Sequence, residues 1–259
     1  MKKRTSFQIF QSVVMALFLR EVQTRFGTKR LGYFWAILDP LMKVIVFTAM
    51  KEAISTSTTP GIDYPVFLAS SFLTYNFFMA VMMGSMNAFE ANAALFNYKQ
   101  VKPFDTLVSR FFLEFLIMCM AIIVFICFGL YFDLNLHIKD FNMVFLAVVW
   151  LGIFGFGMGL VFAVIGTFYE TFKKVVGYMS MPLFFLSGLM YTLDSLPQIA
   201  RDILSYNPLV HFMEMIHGNY FQVLNTNYVD YSYMFFWTIL PLSAGLYFYK
   251  RSEKKILAS

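Results

Sequence analysis

Six stretches of the chain are apolar over membrane-spanning lengths. They lie near 33–54, 64–86, 107–132, 142–168, 175–193 and 231–249. A bilayer core of about 30 Å takes about 20 apolar residues per helix. Lipid offers bare backbone no hydrogen-bond partner, so these blocks are expected as helices and not as open sheet. No link between them is long enough for a catalytic domain, and the longest, 194–230, is itself half apolar. An energy source or a large catalytic domain is therefore expected on another chain.

The pattern ahead of the first block is different. Phe7, Phe10, Val14, Leu17 and Phe18 recur at helical spacing, with Gln8, Gln11, Ser12 and Arg20 elsewhere. Residues 6–26 are thus predicted as an amphipathic helix lying in the membrane interface, with basic residues at both ends. Inside the first block, Asp39 and Lys43 are four apart, share a helical face and can pair. Ionisable groups at such depth face protein or water, so a structural ion pair and a pore-lining role both fit. Pro40 predicts a kink or an opened ladder.

The link after the second block, 87–106, begins as a good helix former and is expected to end at Lys102-Pro103-Phe104-Asp105. A short projecting helix with Leu95 and Phe96 exposed would want a partner surface; a plain hairpin cap is the alternative. In the fourth block, Gly155, Gly159 and Ala163 recur every fourth residue, a stripe that lets helix backbones approach closely. Pro182 and Ser187-Gly188 are expected to break the fifth block. Residues 196–204 then form a short helix, Asn207-Pro208 interrupts, and Leu209, Phe212, Met213, Ile216 and Tyr220 make a second apolar stripe. Each piece is too short to span, which predicts a re-entrant pair.

Composition strengthens the membrane reading. Hydrophobic residues make up 59% and charged residues 14%, where a soluble domain carries about 25% charge. With the N-terminus placed in the cytoplasm, 16 Lys and Arg fall inside and only Lys51, Lys139 and Arg201 outside, with Lys43 within the first block. That asymmetry puts both termini inside. The same side carries five acids, so its net charge is strongly positive. A basic mouth concentrates an anionic polymer, although the positive-inside rule predicts much of this excess. Aromatics reach 20%; they could stack on sugar rings along a channel or simply pack and anchor at interfaces.

Little soluble chemistry is visible. No GxxxxGK[ST] motif occurs, and Gly155-Phe156-Gly157-Met158-Gly159 sits inside an apolar block, so nucleotide binding of that kind is not expected. His211 and His217 are six apart with Glu214 between them, which is not HExxH spacing and puts the two rings on different faces. No metal site is expected. Cys119 and Cys127 share the third block and are read as packing residues.

The run from Arg20-Glu21 through Arg25-Phe26, Leu31-Gly32-Tyr33-Phe34-Trp35 and Asp39-Pro40 resembles the entry motif of ABC-2 type polysaccharide exporters. Ser187-Gly188-Leu189-Met190-Tyr191, Leu196-Pro197 and Tyr206-Asn207-Pro208-Leu209 resemble the outer loop of the same family. The likeness covers essentially the whole chain and is strongest to inner-membrane permeases for capsular polysaccharide in Gram-negative bacteria. It implies one ABC-2 type transmembrane domain over 1–259: an interfacial helix and gate at 1–31, six spans within 33–249, and a cytoplasmic tail at 250–259. It also implies an all-α integral membrane fold with a cytoplasmic coupling helix and a re-entrant outer helix pair.

By the same resemblance, the chain is a transport subunit and not an enzyme. The implied assembly is a homodimer with two ATPase subunits, ATP and Mg being held on those partners. A periplasmic co-polymerase adaptor and an outer-membrane channel would continue the path, the cargo would be a lipid-linked acidic glycan, and no nucleic acid is involved. Arg20, Arg25, Lys29 and Arg30 would form the gate, with Tyr33, Phe34, Trp35, Asp39 and Lys43 near the channel. Glu90, Asn92, Leu95, Phe96, Asn97 and Tyr98 would couple to the ATPase. Leu196, Pro197, Asn207, Pro208, Phe212 and Met213 would form the periplasmic gate. Three other readings remain: an ABC-2 permease for a small hydrophobic drug or lipid, a membrane-embedded transferase, and a non-transporting anchor. The transferase would need His and acids clustered at one membrane face. The anchor leaves the broken fifth block unexplained.

Overall fold

The computed structural model describes residues 5–26, 32–54 and 61–257. Among them there are ten α-helices and no strand. Helix α1 is Ser6–Phe26, α2 Gly32–Ile54, α3 Tyr64–Met86 and α4 Ala88–Asn92, followed by a 3-10 turn at Ala93–Asn97. Then come α5 Pro103–Tyr131, α6 Phe141–Phe168 and α7 Glu170–Leu186. The chain ends with α8 Gln198–Leu204, α9 Pro208–Tyr220 and α10 Tyr231–Ile256. By length and composition α3, α5 and α6 can cross a membrane. The other long helices carry more charge or are shorter: α2 holds Asp39, Lys43 and Lys51, α7 has 17 residues, and α10 ends in Lys254 and Lys255.

Local chemistry fixes most helix starts. Asp140 and Asp230 cap α6 and α10, each accepting from the amide three residues on, at 3.1 and 2.9 Å. Pro65, Pro103 and Pro208 occupy first-turn positions, where a missing N–H leaves nothing unsatisfied. Asp105 accepts from the Lys102 amide at 3.0 Å. Lys102-Pro103-Phe104-Asp105 therefore opens α5, four residues before the apolar block; the expectation that it merely ends the preceding helix misses this cap. The helix α2 runs on through a buried Pro40. Pro182 also lies inside its helix, so the fifth block breaks only at Ser187-Gly188, where Gly188 takes φ +74°.

At the centre, α3 packs on α2, α5 and α6, while α6 packs on α3, α9 and α10. The glycine face of α6 sets these distances. A Cβ on Gly155 would lie 3.2 Å from the Phe78 carbonyl oxygen, and one on Gly159 only 2.5 Å from Ser85 Cβ and 2.8 Å from the Met82 carbonyl oxygen. On the other side, Gly157 faces the α10 backbone at Leu242, 3.0 Å away. Trp150 on α6 adds a hydrogen bond to Thr238 on α10 at 2.8 Å. An aromatic stack crosses three helices, with Phe154 5.4 Å from Phe78 and 5.6 Å from Phe212. Another joins Phe47, Phe72 and Phe184 on α2, α3 and α7.

The helix α9 differs from the expected apolar stripe. Every residue from Leu209 to Gly218 is buried, polar ones included, because α3, α6 and α10 enclose it. The link after α3 is also shorter and more bent than a single helix.

Replacing Gly159 by Ala should destabilise the fold by about 1–3 kcal/mol, the usual effect of overpacking. Gly177 on α7 has nothing within 4 Å of the built Cβ, so Gly177→Ala should not lower stability. Unfolding midpoints of both variants in detergent micelles check the contrast.

Candidate functional site

Two polar regions lie near opposite ends of α3. One is under α1. Val14 and Leu17 are buried as α1 lies along α5, and charged side chains complete the attachment. Arg25 pairs with Glu114, a buried carboxylate in the otherwise apolar run of α5. Arg110 reaches Glu21 at 3.3 Å and donates to the Gly84 carbonyl at 2.7 Å. Arg20 donates to the Asn92 side chain, which in turn donates to the Ala88 carbonyl at 2.9 Å.

These groups line two adjoining cavities. The larger, about 440 Å³, is bounded by Glu21, Thr24, Arg25, Asn87, Arg110 and Glu114. The smaller, about 240 Å³, is bounded by Arg25, Asp39, Asn76 and Glu114 among others. The expected pair between Lys43 and Asp39 is present at 2.7 Å. Arg25 of the predicted gate and Asp39 of the predicted channel meet at one cavity, while Arg20 is drawn to α4. Lys29 and Arg30 lie outside the described residues, as do the side chains of Tyr33, Phe34 and Trp35.

The coupling residues divide. Asn92 is buried and holds Arg20, so it faces α1 and no outside partner. Leu95 and Phe96 are half-buried instead of exposed, and Phe96 packs on the cluster of Ala88, Phe89, Leu107 and Tyr249. Asn97 and Tyr98 are exposed, Tyr98 by 66%. Glu90 pairs with Lys173, and that hydrogen bond holds its carboxyl below the usual carboxylate range.

At the other end, α7, α8 and α9 are clasped together. Asn207 Nδ2 donates to the Leu186 carbonyl at 2.8 Å, and its side-chain oxygen accepts from the Leu209 amide at 3.1 Å. Glu214 accepts from the Leu193 amide at 2.7 Å, and burial pushes its carboxyl up to about 7. Arg201 donates to the Leu193 and Leu196 carbonyls, both at 3.1 Å, and to the Tyr228 hydroxyl at 2.7 Å. His211 and His217 serve separate elements, as their spacing predicts. His211 bridges Ser205 to the Tyr228–Asp230 turn, and His217 meets Ser71 at 2.8 Å. Pro197 is exposed, Leu196 and Pro208 are half-buried, and Phe212 and Met213 lie fully within the core. The latter two support the outer helix pair from inside and do not line an open mouth.

The profile of ABC-2 type transporters matches residues 12–221. The chain belongs to this family. An ABC-2 chain is a transport component. It is 35% identical to the polysialic acid transport protein KpsM of Escherichia coli over 263 residues, covering 99% of each chain. It is 24% identical to the capsule polysaccharide export inner-membrane protein BexB of Haemophilus influenzae, covering 98% of this chain and 96% of that one. It is also 24% identical to the O-antigen export system permease protein RfbA of Klebsiella pneumoniae, covering 88% of this chain and 86% of that one.

Sequence reasoning singled out neither Glu114 nor Arg110 for a site. The signal for Glu114 was present: a lone carboxylate inside an apolar block is costly unless paired. Glu114→Gln should loosen α1 from α5. Arg25 is 44% exposed, so screening reduces the pair to about 1 kcal/mol. Amide exchange at 20–26 should then rise about five-fold, with the α3–α6 helices unchanged.

Proposed function

We propose that the chain is the membrane permease of an ATP-driven exporter moving a lipid-linked, acidic capsular polysaccharide across the bacterial inner membrane. The observation that carries this is the full-length similarity to KpsM, a polysialic acid transport protein, with further similarity to a capsule export inner-membrane protein. ATP hydrolysis belongs to a separate ATPase chain. In this reading α2, α3, α5, α6, α7 and α10 are the six spans and both termini are cytoplasmic. The asymmetry of Lys and Arg supports that orientation.

The cavities under α1 are the cytoplasmic entry. Arg25 spends one contact on Glu114 and, as a guanidinium lining the same cavity, carries further N–H donors. The Asn76 amide nitrogen, which has no partner among the described residues, adds a donor beside the smaller cavity. Such a site suits an anion at the lipid-linked end of the glycan. Arg20 holds α1 to α4, so movement of the ATPase contact would reach the entry helix directly. Lys29, Arg30, Tyr33, Phe34 and Trp35 would extend this entry toward the channel. The α7–α9 clasp would serve as the periplasmic gate.

A second copy of the chain completes the channel. The helix α7 buries only Val176 and exposes Tyr178, Met179, Met181 and Phe185, which supports a partner helix there. An adaptor and an outer-membrane channel receive the polymer beyond the gate.

The function is tested by depleting this chain and pulse-labelling glycan. Labelled polymer should form and remain inside the cell; unchanged surface glycan would refute the polysaccharide assignment. The coupling site is tested at its exposed tip. Tyr98→Asp should reduce co-purification of the ATPase without shifting the unfolding midpoint. Retained assembly would move the contact elsewhere.

A further inference from the structure

An apolar groove of about 420 Å³ runs between α3, α5 and α6, with Leu73 and Met118 forming the wall it shares with the smaller cavity under α1. It exists because α5 and α6 both pack on α3 but scarcely on each other. Val66 and Thr74 of α3, Phe125 of α5 and Ile216 of α9 form a buried floor. Ile126, Leu130, Phe141 and Phe145 stand exposed at the mouth.

The lining is mostly carbon, its polar side chains among the described residues being Ser70, Thr74, Cys119 and Tyr220. Its two α3 hydroxyls are already spent, Ser70 donating to the Phe67 carbonyl at 2.8 Å and Thr74 to the Ser70 carbonyl at 2.6 Å. Water finds few partners there, and apolar cavities of this kind take up hydrocarbon. Left empty, the walls would forfeit their dispersion contacts. Along α5 the groove reaches from Phe115 to Leu130, about 22 Å at 1.5 Å per residue. That exceeds one leaflet of a bilayer core of about 30 Å. At the end near Leu130 it is closed by Leu136, which packs where Gly129 lacks a side chain.

We propose that this groove is a lipid site that holds one acyl chain of a bilayer phospholipid lying between α5 and α6. The mouth opens beside helices long and apolar enough to cross the membrane, so hydrocarbon is the medium directly in front of it. The site does not depend on the polysaccharide assignment, only on the membrane setting of α3, α5 and α6.

The test uses the full chain in phospholipid vesicles containing a phospholipid with a mid-chain diazirine. After irradiation, adducts are mapped by peptide. Cys119, Ile122 and Val148 line the groove, whereas Met120 and Ile123 lie at the same depth of α5 without lining it, Ile123 being 60% exposed. Labelling should be several-fold higher at the groove positions. Val148→Phe, or Ile122→Phe from the opposite wall, should remove the excess and leave Ile123 labelling unchanged. Equal labelling at all five positions would overturn the proposal. Unlabelled groove positions together with Cys119–Cys119 cross-links between copies would overturn it in favour of a protein occupant.

Discussion

The approach of α6 to α3 is the constraint on which the rest depends. The α3 backbone sits against Gly159 at a distance that excludes a methyl group, and against Gly155 at one that leaves it tight. In a membrane the hydrophobic effect gives helices little reason to associate, so close backbone packing supplies the attraction. With α6 seated on α3, its other faces are fixed as well. Gly157 admits α10, Phe154 reaches Phe212 on α9, and α5 takes the remaining side of α3. The splay of α5 from α6 is a by-product of the same arrangement.

The two ends of this frame are finished in different ways. At the α1 end, charges join elements far apart in sequence: Arg25 to Glu114, Arg110 to Glu21 and Arg20 to Asn92. These contacts hold a helix in place while keeping guanidinium donors beside open space. At the α9 end most polar groups are consumed internally, by caps, carbonyls and each other, the His217 Nδ1 atom excepted. The first arrangement suits reversible contact with a charged visitor, and the second suits rigidity.

How much of this was legible in the sequence varied with the range of the interaction. The block 64–86 coincides with α3, and Gly155 and Gly159 pack as their spacing implied, because periodicity and side-chain size are local properties. The Asp39–Lys43 pair followed from one turn of helix. The half-burial of Phe96 did not, since it depends on a cluster built by Leu107 and Tyr249. Asn92 looked like a surface residue because its partner, Arg20, lies 72 positions away. Residues 209–220 looked amphipathic because His211, Glu214 and His217 are polar; their burial depends on Ser205, Leu193 and Ser71, all outside that segment.

The enclosure of α9 bears on how the chain is made. This segment is surrounded by α3, α6 and α10 and carries buried His211, Glu214 and His217. Each of those groups finds its partner upstream of α10: His217 at Ser71, Glu214 at Leu193, and His211 at Ser205 and the Tyr228–Asp230 turn. The polar contacts of α9 can therefore form on the growing chain before α10 emerges. What α10 adds is apolar cover on the side of α9 that α3 and α6 leave open.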